Sequence, residues 1–226
     1  MFVEGSMAAQ SATADRQVRK RDADATRGRI LAAAKSEFAK LGLAGARVDE
    51  IAERAGANKR MIYHYFGGKE ALFCAVLEEA YLDIRDAERA LDLDALPPRD
   101  AMETLVRFTW DYYLANPEFI TLVNSANLHK GKHLEGAERL KPRQREFVDM
   151  VQRILDRGVE SGDFRAGVDP VHLNITIAAI GYYYLTNRHT GGILFQRDFL
   201  EPEALKSRLN FNIDTVLRLI SAEGSA

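Results

Sequence analysis

The run VDEIAERAGANKRMIYHYFGGKEAL, from Val48 to Leu72, most narrows what this chain can become. Val48, Ile51, Ala52 and Ala55 recur at the spacing of one helical face. Gly56 follows where a helix stop calls for a left-handed residue, a conformation glycine enters without steric penalty. Asn58 is then a helix-starting side chain, able to accept from the free N–H groups of the next turn. Beyond it, Met61, Ile62, Tyr65 and Phe66 form an apolar side, leaving Lys59, Arg60, Tyr63 and His64 on the outer one. Gly67-Gly68 closes this helix, and Lys69-Glu70 opens another. The pattern predicts two short helices joined by a tight turn, with a third close behind.

Such a pair suits a helix-turn-helix, whose second helix fits the DNA major groove with its first residues at the base edges. It also suits a plain helical hairpin inside an unrelated bundle. Charge favours the first reading. From Asp15 to Glu70 there are thirteen Lys/Arg against eight Asp/Glu, whereas the chain from Ala71 onward has eighteen against twenty-four. The overall charge of −2 therefore hides a basic N-terminal part, as phosphate binding requires, and an acidic remainder.

The quoted run resembles the long motif AxRAGxxKxxIYHYFxxKExL of the TetR family of bacterial transcription regulators, and the likeness extends from about Arg27 to Leu77. The resemblance implies an all-α protein: a three-helix DNA-binding domain joined by a long helix to a helical ligand and dimerisation domain. It implies a homodimer on a near-palindromic operator, with recognition helices ~34 Å apart. Residues 1–24 are expected to be a disordered tail and basic arm, 25–70 the DNA-binding domain, and 71–226 the effector and dimerisation domain. Gly5-Ser6-Met7 reads as a cloning remnant, and Arg16, Arg19, Lys20 and Arg21 form the arm, either bound along DNA or solvated.

Residues are assigned to DNA from this likeness. Arg60 is the first candidate for base readout and Lys59 the second, because arginine pairs bidentately with guanine. Tyr63 and His64 are expected at phosphates, Tyr65 half in the core, and Lys69 at the phosphate-favouring start of a helix. Asn58 completes the set as the cap of the recognition helix. The chain departs from the family at Ala46 and Arg47, where threonine is usual. The cap of the preceding helix is weakened by this, and Arg47 is left to meet a phosphate by charge instead.

Helical periodicity continues along the chain. Thr26–Leu41 precedes the motif and is stopped by Gly42, and residues 70–91 form a long connecting helix. Pro97-Pro98 and Asn116-Pro117 punctuate two further helices, 101–115 and one ending near 127. Residues 129–141 read as irregular or a short helix. Helices follow at 142–161 and, behind the Asp169 cap and Pro170, at 170–187. These two are expected to form the dimer interface. Residues 191–202 read as loop and 203–221 as a terminal helix.

Family likeness implies an apolar cavity with a few polar groups between the middle helices. Trp110, Tyr113, Phe119, Asn124, Asn127, Tyr183 and Asn187 are its candidates, although aromatics at helical spacing are more often plain core. The segments NSANLHKGKHL and NRHTGGILFQRDF are similar to the pyrimidine-utilisation repressor subgroup, a likeness that assigns no ligand. His129 and His133 have helical metal-ligand spacing, but the intervening Gly131 and neighbouring Lys130 and Lys132 favour solvated side chains. Cys74 reads as packing, and a single cysteine fits a reducing compartment. No leader or long apolar run is evident, so a cytoplasmic protein is expected. Motifs of nucleophilic, phosphate-loop or metal catalysis are not found, so neither an enzyme nor a cofactor is expected. The alternative kept open is a helical interaction protein that has lost specific DNA binding.

Overall fold

The computed structural model describes residues 4–222, with side chains at residue 17 and from residue 20 onward. Its regular elements, among the described residues, are helices. They run as α1 Glu4–Gly45, α2 Val48–Arg54, α3 Lys59–Phe66, α4 Lys69–Arg89, α5 Pro98–Ala115 and α6 Pro117–Leu128. The series continues with α7 Leu140–Ser161, α8 Pro170–Thr186, α9 Arg188–Phe195 and α10 Pro202–Ile220. The all-α expectation holds. No helix among the described residues is long and apolar enough to cross a membrane.

Two compact units divide the chain between Leu77 and Glu78. In the first, α1 packs on α2 and α2 on α3. Ile30, Phe38, Ile51, Ile62, Leu72 and Phe73 are fully buried there. Phe38 and Phe73 meet edge to face, ring centroids 5.0 Å apart. In the second, α5 packs against α7, α8 and α10. Its core joins Met102, Leu105 and Val106 of α5 to Val151 and Ile154 of α7, Ile177 of α8 and Val216 of α10. Each such aliphatic or aromatic side chain contributes ~1.5–3 kcal/mol through burial.

Several boundaries differ from the sequence reading. Helix α1 begins at Glu4, not at Thr26, so residues 4–24 are helical where a disordered tail was expected. From Ser6 to Arg27 the chain contains neither glycine nor proline and is rich in alanine and arginine, so propensity carries a helix without apolar periodicity. Gly42 does end the regular helix: its φ of 65° makes a kink there. Within the basic arm, Lys20 and Arg21 are exposed, while the side chains of Arg16 and Arg19, like residues 1–3, lie outside the described ones.

Residues 188–195, read in part as loop, form α9 despite Gly191-Gly192. A Cβ on Gly191 would lie 2.8 Å from Phe199 Cε2, so a small residue is what lets this turn pack. His133 is buried at 5% exposure and was expected to be solvated. It sits in a 3-10 turn, Lys132–Leu134, with its ring 5.3 Å from that of His129, and no cluster of three metal-ligating side chains occurs among the described residues.

Helix α7 consumes Phe147, Val151, Ile154 and Leu155 in the core and, Val159 apart, turns polar residues such as Arg145, Asp149, Arg153 and Asp156 outward. Exposed large apolar side chains sit on α8 (Val171, Ile175, Tyr183), one of the two helices expected at the dimer interface, and also on α9 (Ile193, Leu194, Phe195) and α10 (Phe211, Leu219).

Candidate nucleic-acid interface and ligand cavity

In the first unit, local geometry places one polar face on α3. Gly56, at φ 58°, turns the chain out of α2, and Asn58 adopts an extended conformation before α3. Its Oδ1 accepts from the Arg60 backbone N–H at 2.9 Å. One of the free N-terminal donors is thereby satisfied, as a cap requires. Gly67, left-handed at φ 82°, ends the helix. Ile62 is buried beneath, Met61, Tyr65 and Phe66 are half-buried, and Lys59, Arg60, Tyr63 and His64 are exposed.

These outer side chains are not equivalent. Lys59 Nζ lies 2.9 Å from Asp49 Oδ1 of α2, an exposed pair whose hydrogen bond and charge raise the lysine pKa. The Arg60 side chain makes no hydrogen bond or ion pair among the described residues, so its guanidinium is the uncommitted one at the start of α3. Tyr63 stands out at 51% exposure, and His64 rests edge-on against Tyr65 at 5.2 Å. Arg27 covers the Phe66 ring at 5.3 Å. Lys69 Nζ donates to the Ala44 carbonyl at 3.1 Å, which ties it to the end of α1.

Arg47 occupies the N-cap position of α2 with an exposed side chain, and no side chain caps that helix. Ala46, at 3% exposure, has become core. At the other end of α2, Arg29 Nε donates to the Ala55 carbonyl at 3.1 Å, so α1 satisfies a terminal acceptor.

The second unit contains a cavity of about 380 Å³, within the usual range of small-ligand sites. Of the seven anticipated side chains, Tyr113, Phe119 and Asn127 line it. Trp110 does not: it is buried at 3% and packs on Tyr184 with ring centroids 5.6 Å apart. Asn124 accepts from the Tyr182 hydroxyl at 2.5 Å, while Tyr183 is 70% exposed on the outer face of α8. Asn187 donates to the Tyr183 carbonyl at the end of that helix.

The sequence reading missed the charged part of the wall. Arg85 and Glu88 of α4 both line the cavity, with side chains only 10% and 2% exposed. Arg85 Nη2 donates to Glu88 Oε1 at 3.0 Å, and Nε lies 2.9 Å from Oε2. The Phe147 ring lies 4.0 Å from the guanidinium carbon. Burial pushes the Glu88 carboxyl up to about 8 against the opposing pull of Arg85, and burial lowers the Arg85 pKa. Burial also raises Tyr81 and Tyr113, and takes Tyr182 to about 12, so all three remain neutral hydroxyls. The available signal was the spacing: Tyr81, Ile84, Arg85 and Glu88 share one stripe, and an ionic pair three residues apart on an apolar stripe marks a special environment.

Comparison with known proteins covers both units. Residues 30–76 match the family described as "Bacterial regulatory proteins, tetR family", and residues 98–216 match "Tetracyclin repressor-like, C-terminal domain". The chain is 40% identical over 201 residues to the HTH-type transcriptional repressor NicS of Pseudomonas putida, covering 89% of this chain and 95% of that one. It is 28% identical over 208 residues to the HTH-type transcriptional regulator RutR of Escherichia coli K12, covering 89% and 92%. Among solved structures, the transcriptional regulator SCO4942 of Streptomyces coelicolor aligns at TM-score 0.64 and 27% identity, covering 86% of this chain and 98% of that one.

Proposed function

The chain belongs to the TetR family of bacterial regulatory proteins, and on that premise we propose that it represses transcription by binding an operator through α3 and is released by a small effector. The observation that carries this reading is the outer face of α3. A side-chain cap fixes the helix start, and Lys59, Arg60, Tyr63 and His64 all face away from the core. In this reading Arg60 reads a base edge, because its guanidinium is uncommitted, whereas Lys59 is held by Asp49. Arg47, Tyr63, His64 and Lys69 contribute phosphate contacts, and Asn58 and Tyr65 shape the helix that carries them.

We assign DNA binding to residues 25–70 and effector binding and dimerisation to the chain from residue 71. The partner is a second copy, seated on the exposed apolar residues of α8, α9 and α10. Ile193, Leu194 and Phe195, each 70% exposed or more, form a patch of the kind that marks an interface. The effector occupies the cavity beside Arg85 and shifts the protein toward an arrangement with lower operator affinity. The protein acts in the cytoplasm as a regulator without catalytic turnover.

Selection of duplex DNA from a random library tests the reading, with the purified protein at stated salt. An enriched inverted repeat is expected, and Arg60→Ala should relax discrimination at particular bases by ~1–3 kcal/mol. Salt-sensitive binding without enrichment would favour the interaction-protein reading. Sedimentation should show a dimer that Phe195→Glu converts to monomer; an unchanged mass would remove α9 from the interface.

A further inference from the structure

The second unit holds another cavity, of about 460 Å³, that shares no lining residue with the one beside Arg85. Its walls come from α8, α9, α10 and the turn between the last two. They form a run of ring contacts. Phe195 and Phe199 lie 18° from parallel with centroids 6.3 Å apart, and Phe199 stacks on Tyr184 at 4.5 Å and 14°. The Tyr184 hydroxyl donates to the Phe199 carbonyl at 3.0 Å, which fixes the closest step. Beyond it, the Arg208 guanidinium carbon lies 5.2 Å from the Tyr184 centroid and 5.3 Å from that of Phe211. The two end members, Phe195 and Phe211, are 70% and 60% exposed. An aromatic face left in water at the end of such a run gains burial and stacking when another ring covers it.

The polar side chains around the rings favour one sign of charge. Arg208 uses Nη2 alone, which donates to the Ile180 carbonyl at 2.9 Å, and its Nε is buried without an acceptor among the described residues. Arg197 makes no side-chain hydrogen bond or ion pair among the described residues. The carboxylate of Asp198 already accepts from the Leu200 backbone N–H at 2.8 Å. Two arginines against one engaged carboxylate leave a positive balance here, although the chain from Ala71 onward has eighteen Lys/Arg against twenty-four Asp/Glu. Guanidinium groups beside aromatic faces suit an anion, which they hold by forked, charge-assisted hydrogen bonds. A cation would be repelled by both arginines, and an uncharged ring would leave their donors unused.

We propose that this cavity is a second ligand site, for a planar fused-ring aromatic that bears an anionic group. The ring stacks on Phe195 and Phe199, and the anionic group accepts from Arg197 and Arg208. Two fused rings are assigned because the space exceeds that beside Arg85, about 460 against about 380 Å³, and is walled by rings from three segments. The site depends on neither the operator contacts of α3 nor the cavity beside Arg85.

Calorimetry on the full chain tests this with 2-naphthalenesulfonate, 2-naphthol and cyclohexanesulfonate, which separate the ring from the charge. The naphthalenesulfonate is expected to bind at least ~10-fold more tightly than either of the others. Arg197→Gln and Phe195→Leu, both at exposed positions, should each weaken it by ~10-fold. Equal binding of 2-naphthol overturns the proposal in favour of an apolar site, and equal binding of cyclohexanesulfonate overturns it in favour of a plain anion site. No measurable binding up to about 10 mM, or binding that neither variant weakens, also overturns it. Adenosine 5′-monophosphate bound as tightly as the naphthalenesulfonate places the natural ligand among nucleotides, and weaker binding places it among aromatic acids; either upholds the shared chemistry. Sedimentation of the same samples separates this site from the second copy proposed for the Phe195 patch. Both variants should keep the parent's mass, and loss of binding only together with loss of the dimer would overturn the ligand site in favour of the second copy. A monomeric parent that binds with the expected preference removes the dimer reading and leaves the site standing.

Discussion

Lys59, the first residue of α3, is tied to Asp49, the second residue of α2, with Nζ 2.9 Å from Oδ1 and 3.1 Å from Oδ2. Both side chains are about half exposed, so the pair contributes little to folding. Its consequence is electrostatic: a lysine at the proposed DNA surface is partnered by a carboxylate before any phosphate arrives.

Asp49→Asn should therefore strengthen DNA binding without sharpening its sequence preference. With Lys59 released, about one more phosphate is neutralised, so the plot of log affinity against log salt should steepen by about 1. Anisotropy titrations at several salt concentrations measure this on operator and random duplexes. An unchanged slope would mean that Lys59 does not face DNA.

Helix α2 lacks a side-chain cap because arginine stands at its N-cap position. Arg47→Ser supplies a hydroxyl acceptor at a residue already extended, and should add ~0.5–1 kcal/mol to stability. The same change removes a cation and should weaken operator binding. Urea unfolding and DNA titration on one sample separate the two effects. Parallel changes in both would contradict this division of roles.

Gly158 on α7 is a packing glycine. A Cβ there would sit 1.9 Å from Phe164 Cδ2, and Phe164 is 2% exposed with its backbone N–H bonded to the Gly158 carbonyl at 2.9 Å. Alanine gains ~1 kcal/mol in helix propensity. Overpacking of an immobile ring costs ~1–3 kcal/mol, and at this separation the upper end applies. Gly158→Ala should lower the urea midpoint, and an increase would show that Phe164 can move aside.

Burial raises Glu88 to about 8 from an ordinary value of 4.5, with Arg85 opposing the shift. The folded-state pKa is thus the higher one. Glu88 favours the folded state most below the unfolded value, and that advantage is lost as pH rises through the folded value. The gap in urea midpoint between the parent and Glu88→Gln should therefore shift against the parent from about pH 4.5 to about pH 8. A gap independent of pH would show that Arg85 holds the carboxylate ionised throughout.

Where the sequence was legible, a local rule fixed the outcome. Gly56, Asn58 and Gly67 each act within one turn of chain, and the outward set Lys59, Arg60, Tyr63 and His64 follows from period alone. Pro98, Pro117 and Pro170 likewise mark helix starts without help from distant residues. The cavity was legible only in part, because its walls come from α4, α5, α6, α7 and α8. Composition alone cannot tell that Trp110 is buried against Tyr184 while Tyr113, one turn away, lines a space. The glycines of α9 misled for the same reason, since what fills the space beside them, Phe199 at Gly191 and the Arg197 carbonyl at Gly192, comes from further along the chain.

If the second copy proposed above seats on the exposed Ile193, Leu194 and Phe195, its assembly has a consequence for dosage. A regulator that must first find a second copy of itself responds to its own copy number. Below the dissociation constant of the pair, active dimer grows as the square of the number of chains, so halving synthesis removes about three quarters of it. Each cell division that partitions the chains unequally then alters repression more steeply than it alters protein content. Substitutions that tune the hydrophobicity of this short turn would set how sharply a gene notices such fluctuations.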